Sequence, residues 1–246
     1  MGRVILIGDP HGMLREVEEL LDKCAVQPED HVLFLGDLID RGRDSAGCVD
    51  LAMRIEARQG KPACILGNHE DRHLRYRDIE ERDGHVYVDV DTHIETRRQL
   101  KQHHYDYFRQ MPLFVRFPEH NAVAVHAGVF PGRTIEQQST RHLTHLQCIR
   151  PPHEKSYWPS KVPQGEEGFR FWHHFWDGPE RIIFGHSVLN KPLITDRVVG
   201  IDGGACFGLH LWAYILPDNQ LVSVRGSGSS NHKLHVIDEE HGVSTY

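Results

Sequence analysis

The sequence has no Cys-x-x-Cys pair, and its five cysteines (Cys24, Cys48, Cys64, Cys148 and Cys206) are an odd number with no common spacing. Neither a thiolate zinc site nor a disulfide framework is encoded, so reduced thiols are expected. No apolar run approaches the eighteen or so residues needed to cross a bilayer, so no membrane partner is expected. An export signal is also missing. Met1-Gly2-Arg3 leads straight into a strand, which points to the cytoplasm. There is no positive excess either: 28 Lys and Arg stand against 35 Asp and Glu, for a formal net charge of −7. A stable nucleic-acid complex is therefore not expected, since such binders usually carry a basic face. Internal repeats are absent. What remains is an ordinary globular composition, and 246 residues are enough for one large domain with a substantial core.

The informative stretch is Gly36-Asp37-Leu38-Ile39-Asp40-Arg41-Gly42, after the apolar run His31-Val32-Leu33-Phe34-Leu35. It predicts a strand end, a tight turn and the start of a helix, the place where α/β proteins put their chemistry. The same design occurs on both sides. Val4-Ile5-Leu6-Ile7 runs into Gly8-Asp9-Pro10-His11-Gly12, and Pro62-Ala63-Cys64-Ile65-Leu66 runs into Gly67-Asn68-His69-Glu70. A sheet that sets these turns side by side gathers Asp9, His11, Asp37, Asn68 and His69. That mix of oxygen and imidazole donors suits Mn, Fe, Zn or Co better than Ca.

The rest of the chain reads as follows. Residues 13–24 and 44–58 have helical spacing, so strand and helix alternate over the first 66 residues with right-handed parallel crossovers. Residues 70–110 mix Arg with Asp and Glu and predict two polar helices around a loop at 83–91. A solvated layer is the plain reading of that insertion, and a cap bearing on substrate the sharper one. Strands are predicted at 113–117, 122–125, 181–184, 198–201, 209–216 and 220–225, with those from 181 onward forming a second, mostly antiparallel sheet. Between about 130 and 178, Pro and Gly breakers alternate with Tyr157, Trp158, Phe169, Phe171, Trp172, Phe175 and Trp176. That pattern predicts an irregular segment pinned by aromatics. Residues 227–246 read as a mobile tail.

Three further strand ends carry His126-Ala127-Gly128, Gly185-His186 and Ile201-Asp202-Gly203-Gly204. Taken in order with the three turns, these motifs resemble calcineurin-like metallophosphoesterases over roughly residues 3–225. Asp-Arg-Gly and His-Glu resemble the branch of serine/threonine protein phosphatases and symmetrical diadenosine-tetraphosphate hydrolases. One departure bears on class: Gly185-His186-Ser187-Val188 lacks the second histidine of the wider superfamily's Gly-His-x-His, which counts against a typical phosphodiesterase.

The resemblance implies an α/β fold, a four-layered α/β/β/α sandwich with a helical insertion, in one domain over 1–226. It implies two divalent ions, manganese first, with iron, zinc, cobalt or nickel as alternatives. Asp9 and His11 would hold one ion and Asn68, His126 and His186 the other, with Asp37 shared. His69 would protonate the leaving oxygen. Asp40 would orient it and raise its pKa. Arg41 and Arg150 would grip phosphate, with Arg141 the substitute for Arg150. Asn68 and His69 would also meet substrate. The leading expectation is hydrolysis of phosphomonoesters by a metal-bridging hydroxide, in a protein serine/threonine, possibly dual-specificity, phosphatase acting on phosphorylated protein. The alternative is a dinucleoside polyphosphate hydrolase acting on a nucleotide substrate. An RNA or nucleotide phosphoesterase, or a silent binding protein, stands behind these.

Overall fold

Strands that are apolar on both faces must be covered on both faces, and this chain has several. The computed structural model describes residues 2–88, 90–157, 168–228, 235–238 and 242–245. In chain order the elements are β1 (Val4–Ile7), α1 (Leu14–Lys23), β2 (His31–Phe34), α2 (Ser45–Gln59), α3 (Asn68–Asp83), α4 (Asp91–Gln99), α5 (Gln102–Gln110), β3 (Phe114–Phe117), β4 (Ala122–Val125), α6 (Thr140–His145), β5 (Cys148–Arg150), β6 (His153–Tyr157), β7 (Arg170–Phe171), β8 (Arg181–Phe184), β9 (Leu193–Ile194), β10 (Val198–Gly200), β11 (His210–Leu216), β12 (Gln220–Arg225), β13 (His235–Asp238) and β14 (Gly242–Thr245).

Two sheets face each other. One has the order β12-β11-β1-β2, the other β3-β4-β8-β10-β9. Strand periodicity sorts the side chains into layers. Ile5, Ile7, Val32 and Phe34 pack under the helices with Val17, Val49 and Phe108. Val4, Leu6 and Leu33 point the other way and meet Ala124, Ile183 and Val199 between the sheets. Val123, Val125, Ile182 and Phe184 face the outer layer, where Leu143, Ile149 and Trp172 cover them. The result is the four-layered α/β arrangement. Its last layer is mostly irregular, holding the six-residue α6, short 3-10 turns and a small sheet of order β6-β5-β7. Aromatics pin that layer as expected: Phe171, Trp172 and Trp176 are buried. Trp158 and the breakers at 159 and 163–165 lie outside the described residues.

Several elements differ from expectation. The strand at 62–66 shrinks to a single parallel bridge between Cys64 and Phe34. Pro62 has no N–H to offer, and the N–H of Leu66 goes to the carbonyl of Pro112 instead. The insertion holds three helices rather than two, because the backbone turns extended at Leu100 and Lys101, where Leu100 is drawn into the core. The strands at 209–216 and 220–225 join the first sheet, β11 pairing antiparallel with β1. Alternation explains this. Leu211, Ala213 and Ile215 serve the helix side while Tyr214 and Leu216 serve the space between the sheets, which fits the open edge of β1. The second sheet is consequently mixed, with β4, β8 and β10 parallel at its centre. Within the segment expected as a tail, Ser227 donates from its N–H and hydroxyl to Glu16, and β13 pairs antiparallel with β14.

The parallel strands bring their carboxyl ends together, and backbone bonds lock the first two turns there. The N–H groups of His11 and Gly12 donate to the carbonyls of Asp37 and Leu38, both at 2.8 Å. Gly42 sits where the turns touch. A Cβ on it would lie 2.1 Å from the carbonyl oxygen of His11. Gly42→Ala should therefore force the turns apart, at a cost of roughly 1–3 kcal/mol. Urea unfolding would read this as a lowered midpoint, and an unchanged midpoint would show that the two turns do not need this contact.

Candidate metal centre and active site

Five side chains of this region stand on left-handed backbone although none is glycine: His11 (φ 46°), Asp37 (51°), Asp40 (70°), Arg41 (66°) and His186 (63°). Such conformations cost of order 1–3 kcal/mol each and tend to collect at working sites. Here they turn functional groups inward from the strand ends. Close approach does the rest. A Cβ on Gly67 would fall 2.3 Å from Asp37 Oδ1, so the third turn can lie against the second only with glycine there.

Asp37 is the centre. Its Oδ1 accepts the N–H of His69 at 3.0 Å and lies 3.5 Å from His126 Nε2. Its Oδ2 is 3.6 Å from His11 Nε2 and 3.9 Å from His69 Nε2. Two groups of donors thus share Asp37, namely His11 with His69 and His126 with His186. Asn68 joins through His126 Nε2, 2.9 Å from its Oδ1. Asp9 joins by accepting the N–H of His186 at 2.8 Å. All six expected metal ligands are therefore gathered. His69 stands as close to Asp37 as a ligand would, so position alone does not separate it from them.

The donor chemistry fits divalent ions. His126 Nδ1 donates to the carbonyl of Leu35 at 2.6 Å, which leaves a lone pair on Nε2, aimed at the carbonyl-type oxygen of Asn68. Two acceptors face each other, an arrangement that calls for a cation. His11 repeats the pattern, with Nδ1 donating to the carbonyl of Ile39 at 2.9 Å and Nε2 turned inward. Asp9 Oδ1 is buried and has no hydrogen-bond partner among the described residues. Burial, with the charges of Asp202 and Asp37, pushes the Asp9 carboxyl well above the usual range. Burial likewise takes Asp202 up to about 6 and Glu70 up to about 8. So much buried acid is stable only beside positive charge.

The positive group at hand is Arg41. Its Nη1 donates to His11 Nε2 at 2.8 Å, its Nη2 lies 3.4 Å from His69 Nε2, and its guanidinium stands 5.4 Å from the ring centre of Phe207. Asp40 is fully buried and holds the other side of His69. The His69 Nδ1–H donates to Asp40 Oδ2 at 2.5 Å. Burial opposes ionisation of Asp40, but hydrogen bonds from His69 and His73 outweigh it and keep the carboxyl below its ordinary range. The expected rise in the His69 pKa is reversed. Asp37 and Asp40 do pull it up, but burial is the larger effect and the net shift is downward.

A cavity of about 240 Å³ opens over this cluster. Asp37, Arg41, Asn68, His69 and His186 form its floor, and Arg72, Val90, Thr92 and His93 form a wall supplied by the insertion. The polar insertion is thus part of the site's enclosure. Arg150 is not among the lining residues. Its guanidinium lies 4.9 Å from the ring centre of Phe169, beside the small outer sheet. Arg141 is exposed and does not line the cavity either; burial, the charge of His126, and then Arg141 and Arg75 take His145 down to about 4. The His145 ring is 6.4 Å from that of His186.

Sequence reasoning assigned no site role to Arg72, His73 and His93. His73 and His93 are buried. His73 Nε2–H donates to Asp40 Oδ1 at 2.9 Å, and His93, which accepts from Arg72, leans to 3.4 Å from Asp40 Oδ2. The available signal for His73 was its place four residues after His69, one helical turn further on the same face.

Residues 2–220 match the family profile described as calcineurin-like phosphoesterase. Among curated proteins, one from Oceanobacillus iheyensis named bis(5'-nucleosyl)-tetraphosphatase PrpE [asymmetrical] is 26% identical, covering 90% of this chain and 92% of its own length. A protein of the same name from Halalkalibacterium halodurans is 28% identical, covering 89% and 92%. A crystal structure of a protein provisionally named a diadenosine tetraphosphatase aligns with TM-score 0.75 and 26% identity over 92% of this chain and 94% of that one. A serine/threonine phosphatase from Saccharomyces cerevisiae aligns with TM-score 0.58 and 16% identity over 94% and 81%, a likeness of fold.

Removing the inner support of Asp40 gives a test of this network. His73→Leu leaves a buried carboxylate oxygen without its donor, which should lower stability by about 1–3 kcal/mol. Turnover should fall while bound metal, measured by elemental analysis, stays at the wild-type level. Loss of metal in His73→Leu would mean that Asp40 serves the metal centre instead.

Proposed function

The chain belongs to the calcineurin-like phosphoesterase family, and from that premise we propose that it hydrolyses dinucleoside polyphosphates such as diadenosine tetraphosphate. It is a hydrolase of phosphoester bonds. The observation that carries the finer reading is that curated relatives matched over nine-tenths of the chain are named bis(5'-nucleosyl)-tetraphosphatase. This reverses the order expected from sequence, where a protein phosphatase came first. The likeness to the yeast protein phosphatase is one of fold and leaves phosphoprotein as the second reading.

In this reading Asp9, His11 and Asp37 would hold one divalent ion, and Asn68, His126 and His186, together with Asp37, would hold a second. Manganese is the metal we favour. When bound, such a pair supplies Lewis acidity that acidifies water and offsets phosphate charge. The protein's own groups do the remainder. Arg41 swings from His11 onto the phosphoryl oxygens, where its planar fork offers two parallel donors. Asn68 lines the phosphate's path. His69, held at Nδ1 by Asp40, presents Nε2 to the leaving oxygen. An arriving phosphate adds negative charge beside the ring and moves its lowered pKa back up. The pull of the leaving group sets how much that proton matters. A nucleotide phosphate departs far more readily than an alkoxide, so a histidine held low by burial suits an anhydride better than phosphoserine. Arg141 takes the second phosphate-gripping role in preference to Arg150, which stands over Phe169.

Turnover on a panel with added manganese decides the substrate class. Diadenosine tetraphosphate should exceed phosphoserine and phosphothreonine peptides in kcat/KM by at least tenfold, and the opposite ranking would restore the protein-phosphatase reading. No turnover of any member would point to a silent binding protein.

The role of His69 is tested through the leaving group. His69→Asn should keep both metals and lose on the order of 10²–10⁴-fold on an alkyl phosphate. On p-nitrophenyl phosphate, whose phenolate leaves unaided, the loss should be much smaller. Equal losses on both, together with loss of a metal, would make His69 a ligand.

A further inference from the structure

On the far side of Arg41 lies a second hollow of about 310 Å³, larger than the one over the metal-binding cluster. Among the described residues, Arg41 alone lines both. The hollow is bounded by Met13, Leu14 and Arg15, by the turn that carries Gly42 and Arg43, and by Ser227 of the returning chain.

Its charges are arranged unequally. Two of its acidic groups are committed elsewhere. Glu16 accepts from the N–H and hydroxyl of Ser227, and Asp44 accepts the N–H of Gly47 as the cap of α2. Glu18 is exposed at the rim. The cationic groups Arg15 and Arg43 form no ion pair among the described residues and border the same space as Arg41. Three arginines therefore line one hollow, and one of them, Arg41, also lines the cavity over the metal-binding cluster. Leu14 adds a partly buried apolar surface. A space of this volume with convergent cations and an apolar wall fits a nucleoside with its phosphates.

We infer that this hollow is a binding subsite for the distal nucleotide of the substrate. The scissile phosphate sits over Asp37, the chain of phosphates crosses Arg41, and the far phosphates and nucleoside are taken by Arg15, Arg43 and Leu14. The inference rests on the proposed function and deepens it. A small phosphomonoester such as p-nitrophenyl phosphate has nothing to place there, so the hollow discriminates by substrate length, while the chemistry at the metal centre is common to both.

The test uses the full manganese-loaded chain and the double variant Arg15→Glu/Arg43→Glu. These exposed positions make no described contact with the metal-binding residues, and an unchanged melting temperature will show that the fold is intact. For diadenosine tetraphosphate, KM should rise roughly tenfold or more with kcat within about twofold of wild type. Kinetics on p-nitrophenyl phosphate should stay within about twofold. ATP should inhibit p-nitrophenyl phosphate hydrolysis competitively in the wild type, with a Ki raised about tenfold in the variant. Unchanged KM and Ki would overturn the subsite, as would an equal loss on the short and long substrates. If the wild type cleaves p-nitrophenyl phosphate but not diadenosine tetraphosphate, the proposed function fails. The subsite is then judged on ATP alone: a raised Ki upholds it and an unchanged one removes it.

Discussion

Everything at the centre hangs on one buried carboxyl. Glu70, at the start of α3, accepts the N–H of Asp37 through Oε2 at 3.0 Å and that of Leu38 through Oε1 at 2.8 Å. Those two donors sit inside a turn that no strand partner reaches, and a buried N–H without an acceptor is costly. Glu70 thus fixes the backbone on which Asp37 stands. The same helical turn carries Asn68 and His69, and the next carries His73, which reaches Asp40. One short piece of helix therefore sets the distances among Asn68, His69 and the support that His73 gives Asp40.

Charge balance is the second constraint. Asp9, Asp37, Asp202 and Asp40 are all buried, and the protein answers them with imidazoles, backbone N–H groups and the single guanidinium of Arg41. This makes Arg41 a hinge between structure and chemistry. Packed on His11 and Phe207, it offsets buried acid; in the proposed reaction the same group would offset the substrate's phosphate. The insertion closes the picture from above, since a helix pair that looks merely solvated along the sequence contributes Arg72, Thr92 and His93 to the cavity wall.

Much of this was readable in the chain because the gathered residues occupy strand ends, and apolar runs ending in Gly-Asp, Gly-Asn or a lone histidine are visible without coordinates. His126 and His186 were identified that way among twenty histidines. What could not be read depends on partners far away in sequence. The edge of β1 is filled by β11, some two hundred residues on. His73 and His93 looked like members of a polar surface, because helix periodicity says which residues share a face and not what that face meets. Arg150 lies in the small outer sheet, beside Phe169, and the pairing of β5 with β6 and β7 that puts it there is announced by no local pattern. The net direction of the His69 shift was hidden for a related reason, although Asp40 does raise it as expected. Asp40 was visible, but the depth of burial that outweighs it was not.

The left-handed residues carry a consequence for how such a protein can change. At His11, Asp37, Asp40, Arg41 and His186 the backbone would be more at ease with glycine, yet glycine would erase the side chain that justifies the turn. Selection or engineering for hardiness alone would find these sites first and gain stability by discarding function. The most robust descendant of this sequence would then be an inert one, and durable variants that still work must draw their gains from the helices and outer sheet, leaving the strain where it is.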